Sequence, residues 1–238
     1  MGNRDGIITK EELNLILLLD NSYSMYNGRI TQLNNAIPTL KNSLMKVADD
    51  ECVDLKVRII AFSDDAVWKV GSVEKGEDVA SIVWKDLDVV GGTSTPKAIR
   101  EANKSLRKQY MGAHALRPVV ILVTDGYCNP GEHADYLKAI EEMKKRLAGN
   151  TGKEKVTRIA IGVEDYRRDE LVEFASEGII SDGQQPLVCE IDKATDLGKV
   201  INWVTVTSMV SSITDGDEEV VDLGDPDWGE DDDDDDIL

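Results

Sequence analysis

Residues 13–20 read Leu-Asn-Leu-Ile-Leu-Leu-Leu-Asp and run straight into Asn21-Ser22-Tyr23-Ser24. A stretch this apolar and this short, closed by an acid and a polar cluster, predicts a strand covered on both faces. That is the condition of a central strand in a parallel sheet. Outward from it, Gly28 marks a turn, and Ile30, Leu33, Ile37, Leu40, Leu44 and Val47 recur at helical spacing. Residues 53–62 are rich in β-formers, and residues 66–73 suit an edge strand paired to them. Thr95-Pro96 opens a second helix, with the hydroxyl as cap and the proline in the first turn. Its buried stripe is expected at Ile99, Ala102, Leu106 and Tyr110.

Residues 118–124 read as a second central strand that ends at Asp125-Gly126. Leu137, Ile140 and Leu147, with Lys144 among them, space a third helix. A strand at 156–163, a short helix at 170–175 and a last strand at 187–191 follow. Leu197, Val200, Ile201, Val204 and Val210 then mark a closing helix to about Ser212. Strands alternating with helices predict an α/β fold: a doubly wound, mostly parallel central sheet with one antiparallel edge strand and helices on both faces. No GxGxxG follows the first strand, so the dinucleotide fingerprint is absent.

Charge divides the chain unevenly. Residues 215–238 hold fourteen acidic side chains and no Lys or Arg, which leaves residues 1–214 a net of −5 out of a total of −19. A basic surface for phosphate backbones is excluded, and direct nucleic-acid binding is not expected. The domain boundaries predicted are a leader at 1–12, a folded body at 13–214 and an unstructured acidic tail at 215–238. The tail is a solubilising appendage, a device that steers basic partners, or a pseudo-ligand for the body, with Trp228 as an anchor.

Cys52, Cys128 and Cys189 are widely spaced and odd in number, which fits neither a disulfide framework nor a zinc site and suits a cytoplasmic location. No run approaches the ~18 apolar residues of a membrane helix. Residues 3–12 resemble the back of a calcium loop, with Gly6 and Glu12 at its sixth and twelfth places. Met1 stands at the first ligand position and no entering helix precedes it, so an exposed leader is the expected reading. His114 and His133 lie in no pattern with a nucleophile. Cys128 is too soft a ligand for magnesium.

Open parallel sheets bind ligands outside the carboxyl ends of their strands, where the topology reverses. Three polar clusters fall at such ends: Asp20–Ser24, the Gly91-Gly92-Thr93-Ser94-Thr95 segment, and Thr124-Asp125-Gly126. They offer carboxylates and hydroxyls with no imidazole or thiol among them, the oxygen donors that a hard divalent cation takes. Hydroxyl ligands are neutral and leave such a cation attractive to an outside carboxylate. Alternatively, the Asp and Ser residues make a turn and cap the next helix.

Asp20-x-Ser22-x-Ser24, the later Thr93 after two glycines, and Asp125 before Gly126 resemble the metal-ion-dependent adhesion site (MIDAS) of von Willebrand factor A domains. The resemblance covers roughly residues 13–212 and implies that family's Rossmann-like fold. It implies that Ser22, Ser24 and Thr93 ligate Mg2+ or Mn2+, that Asp20 and Asp125 act directly or through water, and that a partner protein's Asp or Glu completes the shell. Within the family, LILLLDNSYSM and GGTSTPKAI resemble the stand-alone bacterial proteins of the TerY type from tellurium-resistance and stress gene clusters. That likeness implies association with a serine/threonine kinase and a metal-dependent phosphatase. Asn21 and Tyr23 depart from the usual DTSGSM, and Tyr23 sets a ring beside the metal's open face, to crowd or to shape it. The expected function is therefore non-catalytic, metal-dependent capture of a protein. Its rivals are a metal-assisted phosphohydrolase, for which Lys97 is the nearby basic candidate to hold phosphate, and an acidic nucleic-acid mimic.

Overall fold

A computed structural model of the protein describes residues 10–147, 155–181, 183–214 and 221–224. The first strand, β1 (Glu12–Asp20), is buried along its length after Glu12. Its side chains alternate: Leu13, Leu15, Leu17 and Leu19 enter one core, while Ile16 and Leu18 enter the other. A strand with two apolar faces needs cover on both.

β1 pairs in parallel with β2 (Asp54–Phe62) on one side and β5 (Val119–Thr124) on the other. The sheet continues through β6 (Thr157–Val163) and β9 (Val188–Ile191), both parallel. At the opposite edge, β3 (Ala66–Val70) is antiparallel to β2, and the two-residue β4 (Glu77–Asp78) pairs antiparallel with the start of β2. The order β3-β2-β1-β5-β6-β9 confirms the doubly wound, mostly parallel arrangement.

Helices α1 (Arg29–Asp50) and α5 (Leu197–Thr214) fill one core with Leu33, Ile37, Leu40, Leu44, Ile201 and Val204. Helices α2 (Thr95–Ser105), α3 (His133–Lys144) and α4 (Arg168–Phe174) fill the other with Ile99, Ala102, Ile140, Leu171 and Phe174. The chain leaves β1 for β2 on one side and returns to β5 on the other. This reversal opens the crevice at the carboxyl ends of β1 and β5.

Several local expectations are corrected. α2 stops at Ser105, so Leu106 and Tyr110 lie beyond it. Thr95 is the first helical residue rather than the cap, and Ser94 holds the cap position. Leu137 is 39% exposed, and the buried face of α3 is instead Tyr136, Ala139, Ile140 and Met143. Glu12 accepts from the Asn14 amide (2.7 Å) and the Gly112 N–H (2.8 Å), so the twelfth place of the calcium-like loop serves the start of β1. Residues 1–9 lie outside the described ones.

A second, three-stranded sheet was not expected. β7 (Glu177–Ile180) and β8 (Gly183–Pro186) form an antiparallel hairpin, and β10 (Val221–Asp222) joins β7 in parallel. Val221 and Leu223 are buried in the same core as α5. These residues are an exception to the tail expected from 215 onward: their apolar side chains and the Leu223 N–H, which donates to Ile179 O, tie them to the body. Residues 215–220 and 225–238, Trp228 included, are outside the described ones. Among the described residues no helix is long and apolar enough to cross a membrane.

Candidate metal centre

The backbone after β1 is held in place before any ligand is considered. Asn21 N–H donates to Phe62 O at the end of β2, and the Asn21 amide donates to Asp88 O. A short turn at Tyr23–Met25 follows, and Met25 plugs it into the core. Gly28, at φ 96°, then starts α1 from the left-handed region that glycine enters freely.

The Gly91–Ser94 loop is fastened from four sides. Gly92 N–H donates to Asp64 Oδ1, Thr93 N–H to Asn129 Oδ1 and Ser94 N–H to Ser63 O, while Tyr23 N–H donates to Gly91 O. Gly91 sits at φ 63°, and a β-carbon there would fall 2.3 Å from Asp64 Oδ2, so both backbone and space require glycine.

Within this frame the five sequence-predicted residues come together. Asp20 is fully buried; its Oδ1 accepts from Ser22 N–H at 2.8 Å and its Oδ2 from the Thr124 hydroxyl at 2.6 Å. The Ser22 and Ser24 hydroxyls are 2.8 Å apart, and Ser24 donates to Asp125 Oδ1 at 2.6 Å. The third cluster arrives opposite Gly126. An added β-carbon there would sit 3.4 Å from Ser24 Oγ and 3.5 Å from Thr93 Oγ1, so the missing side chain leaves both hydroxyls facing one small space. Thr95, by contrast, is buried in the first turn of α2.

Sequence reasoning missed the cation in this cluster. Arg29 Nη1 donates to Asp125 Oδ2 and to Ser24 O, Nε to Glu164 Oε2, and Nη2 to Asp165 Oδ2. One guanidinium thus joins the start of α1, the end of β5 and the loop after β6. Burial works against its charge, but the hydrogen bonds to Glu164, Asp125 and Asp165 outweigh that and hold its pKa above the ordinary value. Lys97, the phosphate-holding candidate of the rival reading, is bound by Asp64 O and Asp65 Oδ1. Asn129 and Asp64, which fasten the Thr93 loop, were also missed. A one-dimensional signal existed only for Arg29, as a cation one residue after the helix-starting glycine.

The donors fit a hard divalent cation. The metal donors are hydroxyl and carboxylate oxygens, with the Arg29 guanidinium on one oxygen of Asp125, and the Asp20 carboxyl is pushed up to about 6, chiefly by burial and with a small contribution from Asp125. A carboxylate desolvated this far gains from a cation beside it. Among the described residues there is no group of three or more His, Cys, Asp and Glu that could hold a metal ion, so a cation here depends on the hydroxyls beside Asp20 and Asp125. The Cys128 thiol, near the rim, is pushed up to about 12, with burial first and Glu170 second, so it stays protonated.

A family model, von Willebrand factor type A domain, matches residues 14–200. Solved structures share the fold. One is a von Willebrand factor type A protein from Catenulispora acidiphila: 20% identity, 84% of this chain and 43% of that one, TM-score 0.59. Another is proximal thread matrix protein 1 from the mussel byssus with zinc occupied MIDAS motif: 18% identity, 83% and 48%, TM-score 0.57. A third is the ArnB paralog VWA2 from Sulfolobus acidocaldarius: 18% identity, 81% and 45%, TM-score 0.54. This chain spans less than half the length of each of those chains. With the family model running from β1 into α5, the chain belongs to the von Willebrand factor type A domain family.

Proposed function

We propose that the protein is a metal-dependent protein-binding module that captures a partner's Asp or Glu through one divalent cation. Ser22, Ser24 and Thr93 hold the cation through their hydroxyls, with Asp20 and Asp125 acting directly or through water. The observation that carries the reading is the oxygen-only cluster at the reversal between β1 and β5. When bound, the cation supplies an electrophilic centre for an outside carboxylate.

The chain's own groups prepare that centre. Thr124 and the Ser22 N–H fix both oxygens of Asp20. Arg29 takes one oxygen of Asp125 and leaves the other to Ser24. Gly126 keeps the space between Ser24 and Thr93 clear. Magnesium or manganese suits these donors, and the zinc in the related mussel protein's MIDAS motif argues that this fold's site accepts divalent cations.

The module is proposed to act without catalysis. Arg29 is already engaged by three carboxylates, and His133 is paired with Glu173 on the surface. Its setting, on the TerY-type likeness, is a cytoplasmic stress or tellurium-resistance system with a serine/threonine kinase or a metal-dependent phosphatase as partner.

Calorimetry with Mg2+ and Mn2+ on the wild type and Asp20→Ala tests the site, and a pull-down from native extract with and without chelator tests capture. One cation per chain, lost in the variant, and a partner retained only without chelator are expected. Equal metal affinity in Asp20→Ala, or capture indifferent to chelator, refutes the reading.

A further inference from the structure

The loops that carry the candidate metal donors also hold aromatic rings in solvent. Tyr23 and Tyr26, on the loop between β1 and α1, are 68% and 64% exposed, and Tyr127, two residues past Asp125, is 54% exposed. Their places are fixed. Tyr23 stands between Ser22 and Ser24 with its N–H on Gly91 O, and Tyr127 lies under the Arg167 guanidinium, 5.3 Å from its ring centre. Val90, whose N–H donates to Asn21 O, adds an exposed apolar side chain to the same end of the sheet. Three tyrosines on two loops at the same end of the sheet supply contact area of the kind that anchors protein interfaces.

Around these rings the charge is one-sided. Leaving out the buried donors Asp20 and Asp125, the loops at this end, residues 20–29, 63–65, 86–97, 125–132 and 164–168, hold seven Asp or Glu against Arg29, Lys97, Arg167 and Arg168. The cations here are already engaged: Arg29 by Asp125, Glu164 and Asp165; Lys97 by Asp65; Arg167 by Asp169; and Arg168 by Glu190. Asp65 and Asp165 still present their carboxylates largely to solvent. An incoming segment therefore meets attraction for a carboxylate at one point and repulsion for any other anion around it. Tyrosine faces and an acidic rim both favour ammonium or guanidinium groups.

We propose that this face recognises a protein segment in which a single Asp or Glu is flanked on both sides by Lys or Arg. The acid goes to the cation, and the basic flanks go to the tyrosine faces and to the rim at Asp64, Asp88 and Asp165. The inference rests on the metal-dependent reading above and adds the charge of the flanks. It also rejects the chain's own residues 225–238 as occupant, because they bring acids and no Lys or Arg.

The test uses the full chain and four synthetic peptides in fluorescence anisotropy, in Mg2+ and in chelator, at two salt concentrations. One peptide has a central Glu between lysines, one has Gln in its place, one has Glu between aspartates, and one is residues 225–238. The Lys-flanked Glu peptide is expected to bind only in Mg2+ and about tenfold more tightly than either acidic peptide, with the gap narrowing as salt screens the rim. Tyr23→Ala and Tyr127→Ala are expected to weaken it about three- to fivefold while calorimetric Mg2+ affinity stays unchanged.

The failures separate. If the Gln peptide matches the Glu peptide and chelator changes nothing, the metal reading falls. If chelator and Gln abolish binding but the Asp-flanked peptide or residues 225–238 bind as tightly as the Lys-flanked one, the charge inference falls and the metal reading stands. If no peptide binds at millimolar concentration, both fall.

Discussion

Asp20→Asn should make the metal-free protein more stable while removing its response to metal. The Asp20 carboxyl is fully buried, and burial lifts its pKa from an ordinary 3.8 to about 6. Below pH 3.8 folded and unfolded chains are both protonated there, and the residue costs nothing. As pH rises the unfolded chain ionises first, so stability falls through the window from about 4 to 6 and the cost is full above it. About two pKa units correspond to roughly 3 kcal/mol, an upper bound on the relief from removing the charge. The amide keeps the local bonds: its oxygen accepts from Ser22 N–H, and the Thr124 hydroxyl turns to accept from its NH2.

For a domain of this size, relief of about 2–3 kcal/mol amounts to about 4–12 °C in Tm. Thermal unfolding in chelator at pH 7.5 and pH 4.5, and again at pH 7.5 with Mg2+, reads the effect. The variant should melt higher at pH 7.5, the gap should shrink at pH 4.5, and Mg2+ should raise only the wild type. A variant no more stable than wild type at pH 7.5 in chelator, or a gap equally large at pH 4.5, refutes the argument.

Arg29→Gln removes a positive charge that touches Asp125. A unit charge within about 6 Å of a dication in water-like surroundings costs about 1.4 kcal/mol, so calorimetry should find Mg2+ bound more tightly, by at most about tenfold because the clamp on Asp125 is lost with the charge; unchanged or weaker affinity counts against the placement. Gly126→Ala puts a methyl group between the Ser24 and Thr93 hydroxyls at ordinary contact distance. It should lose metal binding with Tm nearly unchanged, and retained affinity would show that the cation does not lie there. Gly178→Ala would drive a β-carbon to 2.2 Å from Leu187 Cδ2 and 2.8 Å from Val221 O. Denaturant unfolding should show a loss of roughly 1–3 kcal/mol, and a neutral outcome would mean that the β7–β10 pairing yields easily.

The central architecture was legible because β1 and β5 are nearly continuous apolar runs that both end in acid-bearing turns, and the helices between them keep a helical period. The small sheet was not. Residues 177–186 contain two glycines, two glutamines and a proline and show no alternation, and β10 is two residues set in an acidic stretch whose composition argued for a released tail. The face of α3 was misjudged because Leu137 is apolar yet points outward, while Tyr136 turns its ring inward and donates its hydroxyl to Glu170 O. Arg58, a charged residue inside β2 that no sequence pattern singles out, is buried, donating to Asn14 Oδ1 and to the carbonyls of Ser72 and Tyr110. At the candidate site, the residues tied to a spaced motif are brought together by the fold. Those whose role depends on long-range pairing needed the three-dimensional arrangement: Asp64, Asn129 and Glu164 carry no local pattern, and the place of Arg29 after Gly28 does not reveal its partners.

The Arg29 clamp has a consequence for anyone who would transplant this site. The motif spans three loops, and a designer would move Asp20–Ser24, the Gly91–Thr93 turn and Asp125-Gly126 onto another doubly wound sheet. Asp125 would then arrive without the cation that orients it, and Arg29 moved alone would arrive without Glu164 and Asp165 to fix its plane. The portable unit needs the segment after β6 as well as the Ser63–Asp65 loop that fastens Gly92 and Ser94, and the cargo must keep the spacing between the first turn of α1 and the segment after β6. A graft that copies the motif but omits residues 164–165 should bind cations with a poorly ordered Asp125, and restoring those two acids should repair it.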